Sequence, residues 1–187
     1  ELEEPIMKKT IVVLADGFEE VEAVTPIDFL RRADCDVTIA GLKGGAVIGA
    51  HGIEIRTDRP IGECGADFDA VVLPGGMPGA ENLAASGEVI DLVKRIFKSG
   101  GLVSAICAAP AVVLAPNGFL DGKMATCYPG FETRFGDTEF SSDRVVRDGN
   151  VITSRGAGTA AEFAVEIVRY LCGDEAADAL HAGTLQK

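Results

Sequence analysis

Gly101-Leu-Val-Ser-Ala-Ile-Cys107-Ala-Ala-Pro110-Ala-Val-Val-Leu-Ala115 is the stretch on which the architecture turns. Gly101 to Ile106 reads as a short buried strand, apolar along nearly its whole length instead of alternating. Ala108 to Ala115 reads as the start of a helix, with Pro110 early enough in the first turn to need no amide partner. Cys107 then stands on a sharp strand-to-helix elbow with its sulfur facing the helix N-terminus. Backbone N–H groups and the helix dipole there favour a thiolate, which is the reactive form. The same geometry presents the nucleophile in hydrolase elbows. A cysteine simply buried in the core is the other reading, and spacing alone leaves the two open.

The pattern repeats on either side. Thr10 to Ala15 and Asp69 to Leu73 are further continuous apolar runs of strand length, and Asp36 to Ala40 is another strand. Glu19 to Ala33 has Val21, Val24, Ile27, Phe29 and Leu30 at roughly helical spacing, with Pro26 expected to kink or break the helix. Val47 to Asp58 reads as a small hairpin or an excursion off the main sheet, and Glu88 to Lys98 as an amphipathic helix. Arg144 to Asp148 and Val151 to Ser154 flank a Gly149-Asn150 turn compatible with type I′, and Gly158 to Cys172 is a last long helix. Continuous apolar strands separated by helices predict an α/β fold with a parallel sheet covered on both faces. Ligands in such sheets bind beyond the carboxyl ends of the strands. Asp16 to Glu19, Pro74-Gly75-Gly76 and Cys107 all fall at that edge.

With 187 residues, 47% of them hydrophobic, the chain is expected to form one domain with a substantial core. Glu1 to Ile6 precede Met7, which reads as a native start, so they are expected to be an added remnant. A net charge of −12 argues against nucleic-acid or anionic-membrane binding by bulk charge. The five cysteines include no C-x-x-C pair and lie near no histidine cluster, so neither a zinc site nor a disulfide framework is expected. No signal peptide or membrane-spanning run is visible, and a reducing cytoplasm is the expected compartment.

Four segments carry a family likeness: Ala15-Asp-Gly-Phe-Glu-Glu-Val-Glu22, Val72-Leu-Pro-Gly-Gly76, Ala105-Ile-Cys-Ala-Ala-Pro110, and Thr153-Ser-Arg-Gly-Ala-Gly-Thr159 followed by Glu162-Phe163. In this order and spacing the chain resembles the ThiJ/PfpI superfamily. It is most similar to the branch of the Parkinson-disease-linked deglycase and the bacterial YajL-type proteins. The resemblance implies a flavodoxin-like three-layer α/β/α sandwich with a mainly parallel sheet, a homodimer, and no cofactor or metal. It makes Cys107 the nucleophile and Glu22 its carboxyl partner, and places Glu19 near the same pocket and the dimer contact. Gly75, Gly76 and Ala108 would supply backbone N–H groups facing the sulfur. A carboxylate beside a thiolate raises both pKa values, so Cys107 and Glu22 are expected to hold one proton between them.

The departures narrow the chemistry. Peptidase-like members place a histidine directly after the cysteine, where this chain has Ala108. The human-type branch has a histidine before a downstream proline, where this chain has Cys127-Tyr128-Pro129; Tyr128 is favoured over Cys127 for that place. Arg155 is open between binding an anionic substrate and pairing with surface carboxylates. Of the two histidines, His51 reads as a surface residue that can alternatively approach the pocket, and His181 as structural or exposed. The leading expectation is a cofactor-independent glyoxalase or deglycase acting on methylglyoxal or on glycated thiols and amines. The alternative is an oxidation sensor or redox-regulated chaperone using the same cysteine. Peptidase activity and thiamine thiazole synthesis rest on superfamily labels alone.

Overall fold

The computed structural model describes residues 7–65 and 67–187. The segment Glu1 to Ile6, read above as a remnant, lies outside them. In chain order the strands and helices begin with β1 (Lys9–Leu14), α1 (Glu20–Arg32), β2 (Asp36–Gly41), β3 (Ala46–Ile48), β4 (Glu54–Arg56) and β5 (Arg59–Pro60). Then come β6 (Ala70–Leu73), α2 (Gly79–Ala84), α3 (Gly87–Lys98) and β7 (Leu102–Ile106). The chain closes with β8 (Met124–Ala125), β9 (Glu139–Phe140), β10 (Val145–Asp148), β11 (Val151–Ser154), α4 (Ala160–Cys172) and α5 (Asp174–Gly183).

Seven strands form one sheet in the order β10-β11-β7-β6-β1-β2-β5, parallel throughout except for the antiparallel β10–β11 pair. Successive residues of β1 alternate between the two faces. Ile11 and Val13 join Leu92, Val93 and Ile96 of α3, whereas Val12 and Leu14 join Ile27 and Leu30 of α1 and Phe163 and Ile167 of α4. Helices on both faces are why the strands read as unbroken apolar runs. The order reverses at β1: β2 lies on one side of it and β6 on the other. The loops after β1 and β6 therefore flank the switch point where open α/β sheets hold their ligands.

Four expectations about local structure need correction. α1 runs unbroken through Pro26, which is buried in the helix's packed face. Val21 and Val24 are exposed, while Glu20 and Glu22 turn inward with Ala23, Ile27 and Leu30. The apolar run after Cys107 is a five-residue π-helical turn, Pro110–Leu114, followed by a 3₁₀ turn, instead of a regular α-helix. All five residues are buried, so packing on several sides sets their path where a one-sided helical face would not. At the β10–β11 hairpin only Gly149 has positive φ, at 60°. Type I′ requires positive φ at both central residues, so this turn is of the II′ kind. The β3–β4 hairpin off the main sheet is present as expected.

Candidate functional site

Cys107 follows directly on β7 with φ 65°, left-handed backbone that a non-glycine residue adopts only under constraint. Both of its backbone polar groups are tied. Its N–H donates to the Ser154 carbonyl at 2.9 Å, and its carbonyl accepts the Tyr128 N–H at 2.8 Å. The elbow is thus held from β11 and from the segment after β8. The side chain is half-buried.

Glu22 reaches the sulfur from the first turns of α1. Its side chain is 1% exposed and hydrogen-bonds Cys107, and its Oε2 accepts the Gly75 N–H at 2.9 Å. The amides of Gly76 and Ala108 face the sulfur. The expectation that Gly75 also points at the sulfur is corrected: its N–H serves the carboxyl, while Gly76, with φ 87°, turns its own toward Cys107. The Gly75 carbonyl accepts the Glu19 N–H at 3.0 Å, locking the loop after β1 to the loop after β6.

Burial pushes the Glu22 carboxyl up to about 7; the Cys107 and Gly75 hydrogen bonds oppose the rise, and the Glu19 charge adds to it. Burial likewise pushes the Cys107 thiol up to about 12, with the Glu22 charge adding and the Gly76 and Ala108 amides opposing. An intrinsically acidic thiol was expected; Cys35, Cys107 and Cys127 are instead all raised to about 12. What separates Cys107 from the others is its environment: two amides at the sulfur and a buried proton partner. The pair loses its first proton near neutrality and keeps the second far into alkaline pH, so one proton is shared between them over that range.

The remaining residues sort clearly. Tyr128 is exposed, and a Cβ built on Gly156 would lie 3.5 Å from its ring and 4.0 Å from Glu22 Oε1, so Tyr128 borders the pocket. Cys127 is fully buried among core side chains and faces away from it. Among the described residues Arg155 pairs with no surface carboxylate. Its guanidinium donates to the Cys127 and Ser142 carbonyls, both at 3.3 Å, and lies over the Phe140 ring. It braces the loop that carries Tyr128.

Glu20 is the residue that the sequence reading missed. Its 5%-exposed carboxylate accepts the His51 N–H at 2.6 Å and contacts His51 Nδ1 at 2.9 Å, with Glu19 Oε2 3.3 Å from the same nitrogen. A helical wheel anchored on Leu30, Ile27 and Ala23 would have placed Glu20 on the buried face. Among the described residues these three side chains bring metal-ligating atoms within 4.8 Å of one another. The Glu20 oxygens are already occupied by His51 and the Ile53 amide, which makes the cluster a latch between α1 and the β3–β4 hairpin.

Burial pushes Glu20 up, but bonds from the His51 ring and from backbone amides outweigh it and hold the carboxyl at about 2. His51 is raised above 6.5 by its bond to Glu20 and by the charges of Glu19 and Glu20. Stability from Glu20 is present above its ordinary 4.5 and is lost as pH falls toward about 2. Stability from His51 is complete below its ordinary 6.5 and is lost as pH rises through the raised value. A proton NMR titration is expected to show His51 above 6.5, moving down toward the ordinary value in Glu20→Gln while the Glu19 charge still holds it up. An unchanged titration in that variant would dissolve the latch.

Residues 8–170 match the DJ-1/PfpI family. The chain is 43% identical to protein dj-1beta of Drosophila melanogaster over 95% of this chain and 97% of that one. The crystal structure of Drosophila DJ-1beta superposes with a TM-score of 0.93 and 42% identity, covering 97% of this chain and all of the other. Identity is 41% to the Parkinson disease protein 7 homolog of Danio rerio, over 96% of this chain and 98% of that one. A deglycase of Pyrococcus abyssi is 31% identical over 87% of this chain and 99% of its own length.

Proposed function

The chain belongs to the DJ-1/PfpI family, and from that premise we propose that it is a cofactor-independent, cysteine-dependent enzyme of the glyoxalase or deglycase type. Its substrates are methylglyoxal and the early adducts that such dicarbonyls form with thiols and amines. The observation that carries this reading is the strained Cys107, hydrogen-bonded to a buried Glu22 with the Gly76 and Ala108 amides at its sulfur. Similarity to the deglycase of Pyrococcus abyssi supports it.

In the reactive arrangement Glu22 carries the shared proton and Cys107 is the thiolate. The sulfur adds to the aldehyde carbon, and Glu22 protonates the resulting alkoxide to give a hemithioacetal. The Glu22 carboxylate then removes the proton from that carbon, and an enediol forms. Reprotonation at the neighbouring carbon leaves a thioester, which water cleaves to lactate and the free thiol. Methylglyoxal plus water thus becomes lactate with no external oxidant or reductant. The Gly76 and Ala108 amides stabilise charge on sulfur or oxygen during these steps.

The deciding experiment incubates the wild-type protein with methylglyoxal and follows its disappearance and the appearance of lactate. Turnover supports the proposal. An inactive protein whose Cys107 is nonetheless selectively oxidised by peroxide would move the reading to an oxidation sensor, since the same amides and carboxyl would hold a sulfinate. Tyr128→Phe is expected to cost less than about tenfold, well short of the hundred- to ten-thousand-fold typical of a proton-transfer group. Its backbone bond to Cys107 survives the substitution. A loss of about a hundredfold or more would assign proton transfer to the hydroxyl.

We further propose a homodimer in the cytoplasm. Val21 and Val24 of α1 and Ile48 and Ile53 of the latched hairpin expose apolar side chains on connected elements, and a second copy of the chain would cover them. Sedimentation is expected at the mass of two chains, and a Val24→Asp variant at that of one. A wild-type monomer at micromolar concentration would overturn the assignment. Five free cysteines fit a reducing compartment, and among the described residues no helix is long and apolar enough to cross a membrane.

A further inference from the structure

Two thiols far from Cys107 stand in contact. Cys35 Sγ and Cys172 Sγ are 3.6 Å apart, although they stand 137 positions apart in the chain. Cys35 lies in the turn that leaves α1 and enters β2, and its N–H donates to the Leu30 carbonyl at 3.0 Å. Cys172 is the last residue of α4. α1 and α4 pack on the same face of the sheet, so their carboxyl ends bring the two sulfurs together. Cys35 is buried and Cys172 is exposed.

We propose that Cys35 and Cys172 form a second, reversible oxidation site, which hydroperoxides close to an intramolecular disulfide. The exposed Cys172 meets the oxidant first. Its sulfur takes one oxygen from the peroxide, giving a sulfenic acid and releasing water or an alcohol. Cys35 then attacks the Cys172 sulfur: the S–S bond forms, the S–O bond breaks, and the Cys35 proton leaves with the hydroxyl as water. Two thiols and one peroxide give one disulfide and two molecules of water when the peroxide is hydrogen peroxide. A low-molecular-weight thiol reverses the step by exchange.

The geometry suits this chemistry better than over-oxidation of either thiol. A resolving cysteine already at van der Waals distance intercepts a sulfenic acid before a second peroxide arrives. A disulfide bond is about 2.05 Å long, so the sulfurs need to close by only about 1.5 Å. Burial holds the Cys35 thiol protonated in the resting protein, which leaves Cys172 as the entry point.

This site is separate from the one around Cys107. Cys107 follows the carboxyl end of β7, whereas Cys35 precedes the amino end of β2 in the same parallel sheet. The two therefore lie at opposite edges, and the dithiol can be oxidised with Cys107 replaced. Its closure would fasten the α1–β2 turn to the end of α4. That cross-link spans most of the chain, the case in which loop-closure entropy gives the largest stabilisation.

The test uses full-length Cys107→Ser protein, reduced and then treated with a few equivalents of hydrogen peroxide. Peptide mapping without reductant is expected to find the Cys35 and Cys172 peptides joined, two hydrogens lighter than their sum, and dithiothreitol to separate them. The oxidised form is expected to melt higher by roughly 4 to 16 °C. Cys172→Ser is expected to slow oxidation of Cys35 by about tenfold or more, because the entry thiol is gone. Cys35→Ser is expected to leave Cys172 as sulfinic acid with no link. Accumulation of Cys172 sulfinate beside a free Cys35 in the Cys107→Ser protein would overturn the proposal. So would a linkage found only between two chains. Because these readouts need no turnover, failure of the glyoxalase reading leaves them intact.

Discussion

Cys107→Ser is expected to remove dicarbonyl turnover altogether, and Glu22→Gln to reduce it by about a hundred- to ten-thousand-fold. Serine at the elbow keeps the backbone bonds to Ser154 and Tyr128 but lacks a nucleophile ionisable beside a single carboxyl. Glutamine keeps a hydrogen-bond donor for the sulfur and an oxygen for the Gly75 amide, so the site's geometry is preserved. What it removes is the group that carries a proton from one carbon to the next. The two variants therefore separate two properties of one site. Mass spectrometry after mild peroxide treatment should still find oxygen on Cys107 in Glu22→Gln while steady-state turnover has collapsed. Full turnover in Glu22→Gln would sink the mechanism.

The same pair sets the pH profile. With Glu22 near 7 and Cys107 near 12, the one-proton state fills as pH rises through neutrality. Wild-type kcat/KM with methylglyoxal is expected to rise with pH through that region. The rising limb should move in Glu19→Gln, because the Glu19 charge is one of the forces raising Glu22. Losing that charge lowers the Glu22 value, so the limb shifts to lower pH. A limb that stayed in place would mean that some other group controls the profile.

The parts of this molecule legible in the sequence are those in which a residue's own chemistry decides its place. β1, β6 and β7 are apolar on both faces and belong in a covered parallel sheet under any arrangement of the helices. The Cys107 elbow follows from a strand that runs into a proline-marked turn. The carboxylates were harder to place. Val21 and Val24 look like a buried face and Glu20 like a solvated one, and the structure reverses them. What draws Glu20 inward is the amides of His51 and Ile53, on a hairpin about thirty residues away. Glu22 is likewise held by an amide from the loop after β6. Burial of a charge depends on partners that only the tertiary fold supplies. The two amides of Gly75 and Gly76 show the same limit at a finer scale. Adjacent in sequence, they diverge because Gly76 takes a left-handed conformation, and one serves the carboxyl while the other serves the sulfur. The choice between Cys127 and Tyr128 turned on side-chain direction beyond β8, which residue type does not specify.

Gly75→Ala is expected to damage the site nearly as much as losing Glu22, without touching any reacting group. A Cβ at this position would lie 2.5 Å from the Cys107 Cβ, 2.7 Å from Glu22 Oε2 and 2.8 Å from the Ile106 carbonyl oxygen. None of these is the free end of a flexible chain. Cys107 is pinned at both backbone groups, Glu22 is buried, and Ile106 belongs to a central strand. The added methyl must therefore push the nucleophile and its proton partner apart, and misplacement by about 1 Å is enough to cost about a hundredfold in rate. Overpacking of this kind also costs about 1–3 kcal/mol, so a lowering of Tm by roughly 2 to 12 °C is expected. Gly158→Ala is the control: its Cβ would meet nothing within 4 Å, and both activity and Tm should stay near wild type. A double variant separates the two effects. If the methyl acts by breaking the contact between Cys107 and Glu22, adding Gly75→Ala to Glu22→Gln should lower turnover little further, because the proton route is already gone. Losses that multiply instead would mean that Gly75 supports the chemistry by a route independent of Glu22.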